Sequence, residues 1–296
     1  MWQTRITEML GIEYPIIQGA YGGFGTSALA GPVSEAGGLG IITASALRTP
    51  ERLREDIARA KSMTDKPIGV NLSPGMLPNI DEMVEATIES GIKVVETAGG
   101  SSDVYGKRLK EAGVVWIHKV ATVKHAVSAE KQGADAVVIV GIEGAGGKSP
   151  IQVTTLINIP LAAKVIKIPI IAAGGIGDAR SFMAALAMGS EAVYMGTVFM
   201  AVKECPISDR YKQSIVDRSP FDPVFRARVF APPGAEMAEM MRQGASAPIP
   251  DRDEDGTRIS GVSLAVAAVD RVVTAKELIQ DIISGAEVIR QRWALS

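Results

Sequence analysis

Residues 141–149 read GIEGAGGKS, and Gly147-Lys148-Ser149 is how a nucleoside-triphosphate loop ends. Such a loop needs a glycine, four further residues and then Gly-Lys-Ser/Thr, so that successive N–H groups cradle phosphates. Counting back from Gly147 puts Ile142 at the first glycine position, with Gly141 one residue too early. A β-branched residue resists the left-handed backbone of a phosphate nest, and an ATP site is rejected on that ground. What remains is a cation, Lys148, preceded by Gly146 and Gly147, which let backbone approach a ligand closely.

The other groups able to do chemistry are few. Glu96 ends the apolar run IKVVET and serves either as a general base, if desolvated, or as an ion-paired residue. His118 and Lys119 are neighbours in another apolar run, so in a strand they point to opposite faces. Lys119 is taken as the functional one and His118 as packing, while His125 falls in the following helical pattern. These are the two histidines of the chain, and they stand in no metal-ligand constellation with carboxylates. No GxSxG elbow occurs, which removes the Ser-His-Asp hydrolase reading. Cys205 is the single cysteine, so there is no intramolecular disulfide and no cysteine cluster.

Two glycine-rich turns point to a phosphate. AAGGIGD carries Gly174 and Gly175 and leads into a helical pattern, with Asp178 as its N-cap. YMGTVF carries Gly196 and Thr197. A pair of such loops after consecutive strands suits a phosphate held by backbone N–H groups and a helix start. Gly19, Ala20 and Tyr21 follow the first apolar run, and Asn71 follows GV in the third.

Positioning these residues requires an alternating chain. Strand candidates begin near Pro15, Gly38, Pro67, Ile92, Val114, Asp135, Ile168 and Glu191, each followed by a helical pattern. Nearly continuous apolar strands separated by helices indicate a parallel sheet buried on both faces. A doubly wound sheet would carry a dinucleotide fingerprint after its first strand, but Gly22-Gly23-Phe24-Gly25-Thr26 lacks that spacing. Eight units therefore predict a single (β/α)₈ TIM barrel over 1–296, with the candidate residues at strand ends where barrel sites form. Residues 205–261, rich in Pro, Arg and Asp, follow the eighth strand and are expected to lie over the mouth. Within them Met237, Met240 and Met241 share a helical face that suits packing on the barrel. Val272 to Arg292 reads as a closing helix.

Composition excludes several classes. A net charge of −2 and sparse aromatics give no nucleic-acid footprint and no polybasic membrane surface. No stretch reaches a membrane span, and the start lacks a secretion-signal core. A cytoplasmic enzyme with a small-molecule substrate is expected, and a homo-oligomer is compatible with the sequence.

PIIQGA, SEAGGLGIITA, GVNL, ADAVVIVGIEGAGG, IPIIAAGGIGDAR and VYMGTVF, in that order, resemble the nitronate monooxygenase (2-nitropropane dioxygenase) family, kin to the flavin-dependent enoyl-ACP reductase. The resemblance runs from about Pro15 to Glu204 and implies a barrel binding FMN non-covalently. By position, Gly174, Gly175, Gly196 and Thr197 would hold the FMN phosphate. Gly19, Ala20 and Tyr21 would lie along the isoalloxazine, and Asn71 and Lys119 would meet its polar edge. A lysine there would stabilise the anionic reduced ring. The family loop usually runs Gly-x-Glu-x-Gly-Gly-His, and here Lys148 replaces the substrate-facing histidine. Ala20-Tyr21 likewise replaces a frequent Pro-Met. The resemblance implies an FMN-dependent oxidoreductase that oxidises a small anionic or enolate-forming substrate with O₂; the alternatives are NAD(P)H-dependent reduction of an enoyl thioester or quinone, and a flavin-binding barrel without turnover.

Overall fold

The computed structural model describes residues 2–19, 22–99, 103–145, 151, 153–230 and 261–294. Eight parallel strands form the sheet: β1 (Ile16–Gln18), β2 (Gly40–Thr43), β3 (Ile68–Leu72), β4 (Val94–Ala98), β5 (Val115–Val120), β6 (Ala136–Val140), β7 (Ile170–Ala173) and β8 (Ala192–Met195). Each lies on one of the eight apolar runs, with β4 and β5 reaching one residue beyond theirs. Their order is β1-β8-β7-β6-β5-β4-β3-β2. A bridge between Ile17 and Leu39 joins β1 to the start of β2 and closes the ring. The fold is the (β/α)₈ barrel that the alternation predicts.

The helices are α1 (Arg5–Leu10), α2 (Ser27–Glu35), α3 (Ala44–Leu47), α4 (Pro50–Met63), α5 (Ile80–Glu89), α6 (Asp103–Glu111), α7 (Val123–Lys131), α8 (Thr155–Ala163), α9 (Ala179–Ala187), α10 (Thr197–Met200), α11 (Asp209–Val216) and α12 (Pro223–Phe230). The C-terminal helix, Ala275–Trp293, is the expected closing helix. It packs on α9 and α2, and Thr274 and Glu277 form a capping box at its start. Residues 231–260, which include Met237, Met240 and Met241, lie outside the described residues.

Strand alternation sorts the side chains into two cores. Ile17, Ile41, Val94, Ile117, Val138 and Ile171 point into the lumen and fill it. Helix α1 closes the lower end with Ile6 and Leu10, which join the same cluster. Arg5 fixes that plug by pairing with Glu191 at the foot of β8, Nε to Oε1 at 2.9 Å. The alternate residues, among them Val70, Val95 and Trp116, face the helices. A lumen plugged below and filled with aliphatic side chains leaves only its upper end for polar groups.

Candidate functional site

At that upper end the lumen turns polar. Asn71 and Glu96 are register partners on β3 and β4, and Asn71 Nδ2 donates to Glu96 Oε2. Ser73 Oγ lies 3.2 Å from Asn71 Oδ1 and steadies the amide. Lys119 stands on the same face as Ile117, two residues along β5, with Nζ 3.4 Å from Glu96 Oε1. Tyr194 reaches in from β8, on the opposite side of the barrel. Its hydroxyl is 3.4 Å from Glu96 Oε2 and 3.4 Å from Lys119 Nζ, and its ring centroid is 4.9 Å from that ammonium. The Glu96 side chain is fully shielded from solvent, whereas Lys119 is 23% exposed. The carboxylate is thus the buried hub, and the ammonium above it faces the mouth.

Gly19 completes this floor. A Cβ built on it would stand 2.9 Å from the Tyr194 ring and 3.1 Å from the Met195 carbonyl, so no side chain fits. Its N–H donates to Met195 O at 2.7 Å. The preceding Gln18 is fully buried, and its Oε1 accepts from Ile41 N at 2.9 Å across the β1–β2 seam. Ala20 and Tyr21 lie outside the described residues.

The glycine turns after β7 and β8 lie side by side. Gly174 and Gly175 have φ of 104° and 72°, a left-handed pair that glycine adopts without strain. Helix α9 begins just after, but it caps itself. Asp178 accepts from Ser181 N at 2.8 Å, while Gly177 N and Asp178 N both donate to Ser181 Oγ at 3.0 Å. A carboxylate seated on that helix start disfavours an anion there. Helix α10 starts directly at Thr197 with no side-chain cap; Phe199 N donates to Gly196 O at 2.9 Å, and the Thr197 and Val198 N–H groups precede the first intrahelical acceptor. The α10 start lies beside the Gly174-Gly175 turn and, unlike the α9 start, carries no side-chain cap. Thr197 Oγ1 also accepts from Ser263 N at 2.9 Å, which ties the 261–268 segment to the cup.

The loop after β6 is anchored by Glu143. Its carboxylate accepts from Thr155 N at 2.9 Å, and Thr155 Oγ1 lies 3.0 Å from Gly174 O. Glu143 O accepts from Leu264 N at 3.1 Å. One glutamate therefore joins the β6 loop, the start of α8, the β7 turn and the 261–268 segment. Gly146, Gly147 and Lys148 lie outside the described residues. Glu143 and Tyr194 carry no local sequence signal for these roles, since their partners are far away in the chain.

His118 faces away from the lumen, as alternation predicts. Trp116 Nε1 donates to Thr97 Oγ1 at 2.8 Å, and Thr97 Oγ1 is 2.7 Å from His118 Nδ1. Burial holds the imidazole below its ordinary pKa, and the Glu96 charge opposes this in part. The unfolded chain therefore takes up the proton first. Stability from this residue is complete above about pH 6.5, the unfolded value, and is lost as pH falls toward the folded one. Wild-type protein should lose more Tm between pH 7.5 and pH 5.5 than His118→Gln, as followed by circular dichroism. Equal losses would mean that other groups control the acid limb.

Comparison with known proteins places this geometry. The nitronate monooxygenase family model matches residues 3–231. The chain belongs to the nitronate monooxygenase family. It is accordingly an enzyme, a flavin-dependent oxidoreductase. Among curated relatives it is 35% identical over 250 residues to the (3aS,4S,5R,7aS)-5-hydroxy-7a-methyl-1-oxo-octahydro-1H-indene-4-carboxyl-CoA dehydrogenase of Mycobacterium tuberculosis, covering 83% of this chain and 70% of that protein. It is 31% identical over 271 residues to a probable nitronate monooxygenase of Staphylococcus aureus, covering 76% of this chain and 75% of the relative. The structure of FabK from Thermotoga maritima matches with a TM-score of 0.83 at 33% identity, covering 98% of both chains. Among the described residues no helix is long and apolar enough to cross a membrane.

Proposed function

We propose that this family member uses FMN to reduce an enoyl thioester, with NAD(P)H as the electron source. The residues fit the cofactor. The left-handed Gly174-Gly175 turn and the start of α10 offer backbone donors to a phosphate, and Gly19 packs against the Tyr194 ring with no side chain of its own to stand in the way of a flat ring. When bound, FMN supplies the hydride-exchanging centre.

The observation that carries the choice of reaction is where the imidazoles are. The chain has two histidines; His118 is packed behind β5 and His125 is exposed on α7. Neither can serve as a neutral base at the mouth. Lys148 occupies the position of the family histidine, and a lysine near pH 7 donates a proton far more readily than it accepts one. Oxidation that begins by removing a carbon-bound proton is poorly served by such a group. Reduction of an enoyl thioester needs what a lysine offers. Hydride from the nicotinamide ends on the β-carbon, negative charge collects on the thioester oxygen and α-carbon, and a donor protonates the α-carbon. Lys148 is assigned that cationic, proton-donating role, and Lys119 adds positive charge at the floor. The relative named as a carboxyl-CoA dehydrogenase and the fold match to FabK support a thioester.

Oxidation of a preformed nitronate with O₂ is the second reading. It is favoured by the family match and by the Staphylococcus aureus relative. A nitronate is already an anion and needs no base, so the same cations would receive it. Purified protein is expected to be yellow and to release FMN on denaturation. Under anaerobic conditions NADH or NADPH should bleach it, and crotonyl-CoA should restore the colour. Faster O₂ consumption with ethylnitronate than turnover of any enoyl thioester would reverse the order of the two readings.

A further inference from the structure

Glu96 is an unusual residue to find at the upper end of an aliphatic lumen. It is 1% exposed, and among the described residues its side-chain partners are donors: Asn71, Tyr194 and Lys119. Oε2 accepts from the first two. Among the described residues Oε1 has no hydrogen-bond partner and lies 3.4 Å from the Lys119 ammonium. A carboxylate so enclosed has no path to a substrate proton. Its negative charge nevertheless sits one contact below the lysine that faces the mouth.

Resting on the FMN reading, we infer that Glu96 and Tyr194 are positioning residues that set how much positive charge Lys119 presents to the bound flavin. Glu96 acts electrostatically. In a lumen lined by aliphatic side chains the pair interacts at low effective dielectric, and the carboxylate offsets part of the field of the ammonium. Tyr194 acts by geometry. Its hydroxyl and ring face both hold Nζ over the floor and prevent the flexible lysine stem from swinging to solvent. Under this inference Glu96 acts through Lys119, the ion-paired one of its two sequence readings.

The inference is tested by the midpoint potential of the bound flavin, measured against reference dyes, with turnover left aside. Reduced flavin is anionic near pH 7, so positive charge beside the ring raises the potential. Glu96→Gln removes the offsetting charge and is expected to shift the two-electron equilibrium toward reduction by about tenfold, or about 30 mV. Lys119→Met should move it at least as far in the other direction. Tyr194→Leu, by releasing the ammonium, should lower it as well. The Glu96→Gln/Lys119→Met double variant is neutral and isosteric and should return toward wild type. It also covers the case in which Glu96→Gln alone fails to fold, because the carboxylate effect is then read from Lys119→Met against the double variant. A residue that served only to hold the fold would change flavin occupancy or Tm without this signed pattern. Flavin-loaded Glu96→Gln with the wild-type potential, or a lower one, overturns the inference and leaves the FMN reading intact. Wild-type protein that takes up no FMN overturns both.

Discussion

Gly175→Asp is expected to abolish FMN binding while the barrel stays folded. Gly175 sits at φ 72°, and a Cβ built there would stand 3.2 Å from Glu143 Cβ. Aspartate tolerates the left-handed region better than most residues, so the strain is of order 1–2 kcal/mol and the fold survives it. The charge does the damage. A carboxylate about 4 Å from a phosphate dianion costs roughly 4 kcal/mol per charge pair at an effective dielectric near 20, close to a thousandfold in affinity. Glu143 already places a carboxylate behind this turn, but Thr155 satisfies it. Gly175→Asn separates charge from shape. It is nearly isosteric, also tolerates positive φ, and should retain much more flavin than the aspartate. The ratio of flavin to protein absorbance, with far-ultraviolet circular dichroism as the folding control, reads both variants. Full occupancy in Gly175→Asp would show that the phosphate is bound elsewhere.

The readability of this site from sequence followed the range of its contacts. Eight apolar runs, each trailed by a helical pattern, are local signals, and they fixed the strands and hence the barrel. Alternation within one strand is also local, and it separated Lys119 from His118 correctly. The polar floor was half legible. Asn71 and Glu96 both read as strand-end residues, and the pairing of β3 with β4 brings them together. Tyr194 was overlooked because its partners lie across a closed lumen, and closure and shear are properties of the whole ring. Helix α1 is hard to read from sequence for another reason. It is six residues long, and its capping box pairs Thr4 with Thr7 where the usual pattern has a glutamate or glutamine. Glu143 was visible only as part of a glycine-rich loop. Its task, joining that loop to the α8 start and to Leu264, depends on contacts with residues 12 positions and more away. Likewise Thr197 pairs with Ser263 across 66 residues, a link that no local pattern announces.

Lys148→Met is expected to leave FMN bound and to depress turnover of an enoyl thioester by roughly ten- to a hundredfold in kcat/KM. That range corresponds to a lost charge-assisted contact of about 1.5–3 kcal/mol to the enolate-like oxygen or to the proton being delivered. Loss of a proton donor should fall mainly on kcat, whereas loss of a simple binding contact would fall mainly on KM. Lys148→His provides the reciprocal test, because an imidazole is neutral and basic near pH 7. The histidine variant is expected to keep part of the thioester activity and to gain oxidation of a neutral nitroalkane, the reaction that requires removal of a carbon-bound proton. Lys148→Arg sharpens the distinction further, since a guanidinium keeps the positive charge but cannot give up its proton at these pH values. If Lys148 acts only as a cation, arginine should rescue turnover; if it delivers the proton, arginine should restore KM and leave kcat low. Wild-type kinetics in Lys148→Met on a substrate the enzyme turns over would remove this lysine from the reaction. The proton would then have to come from the floor or from water.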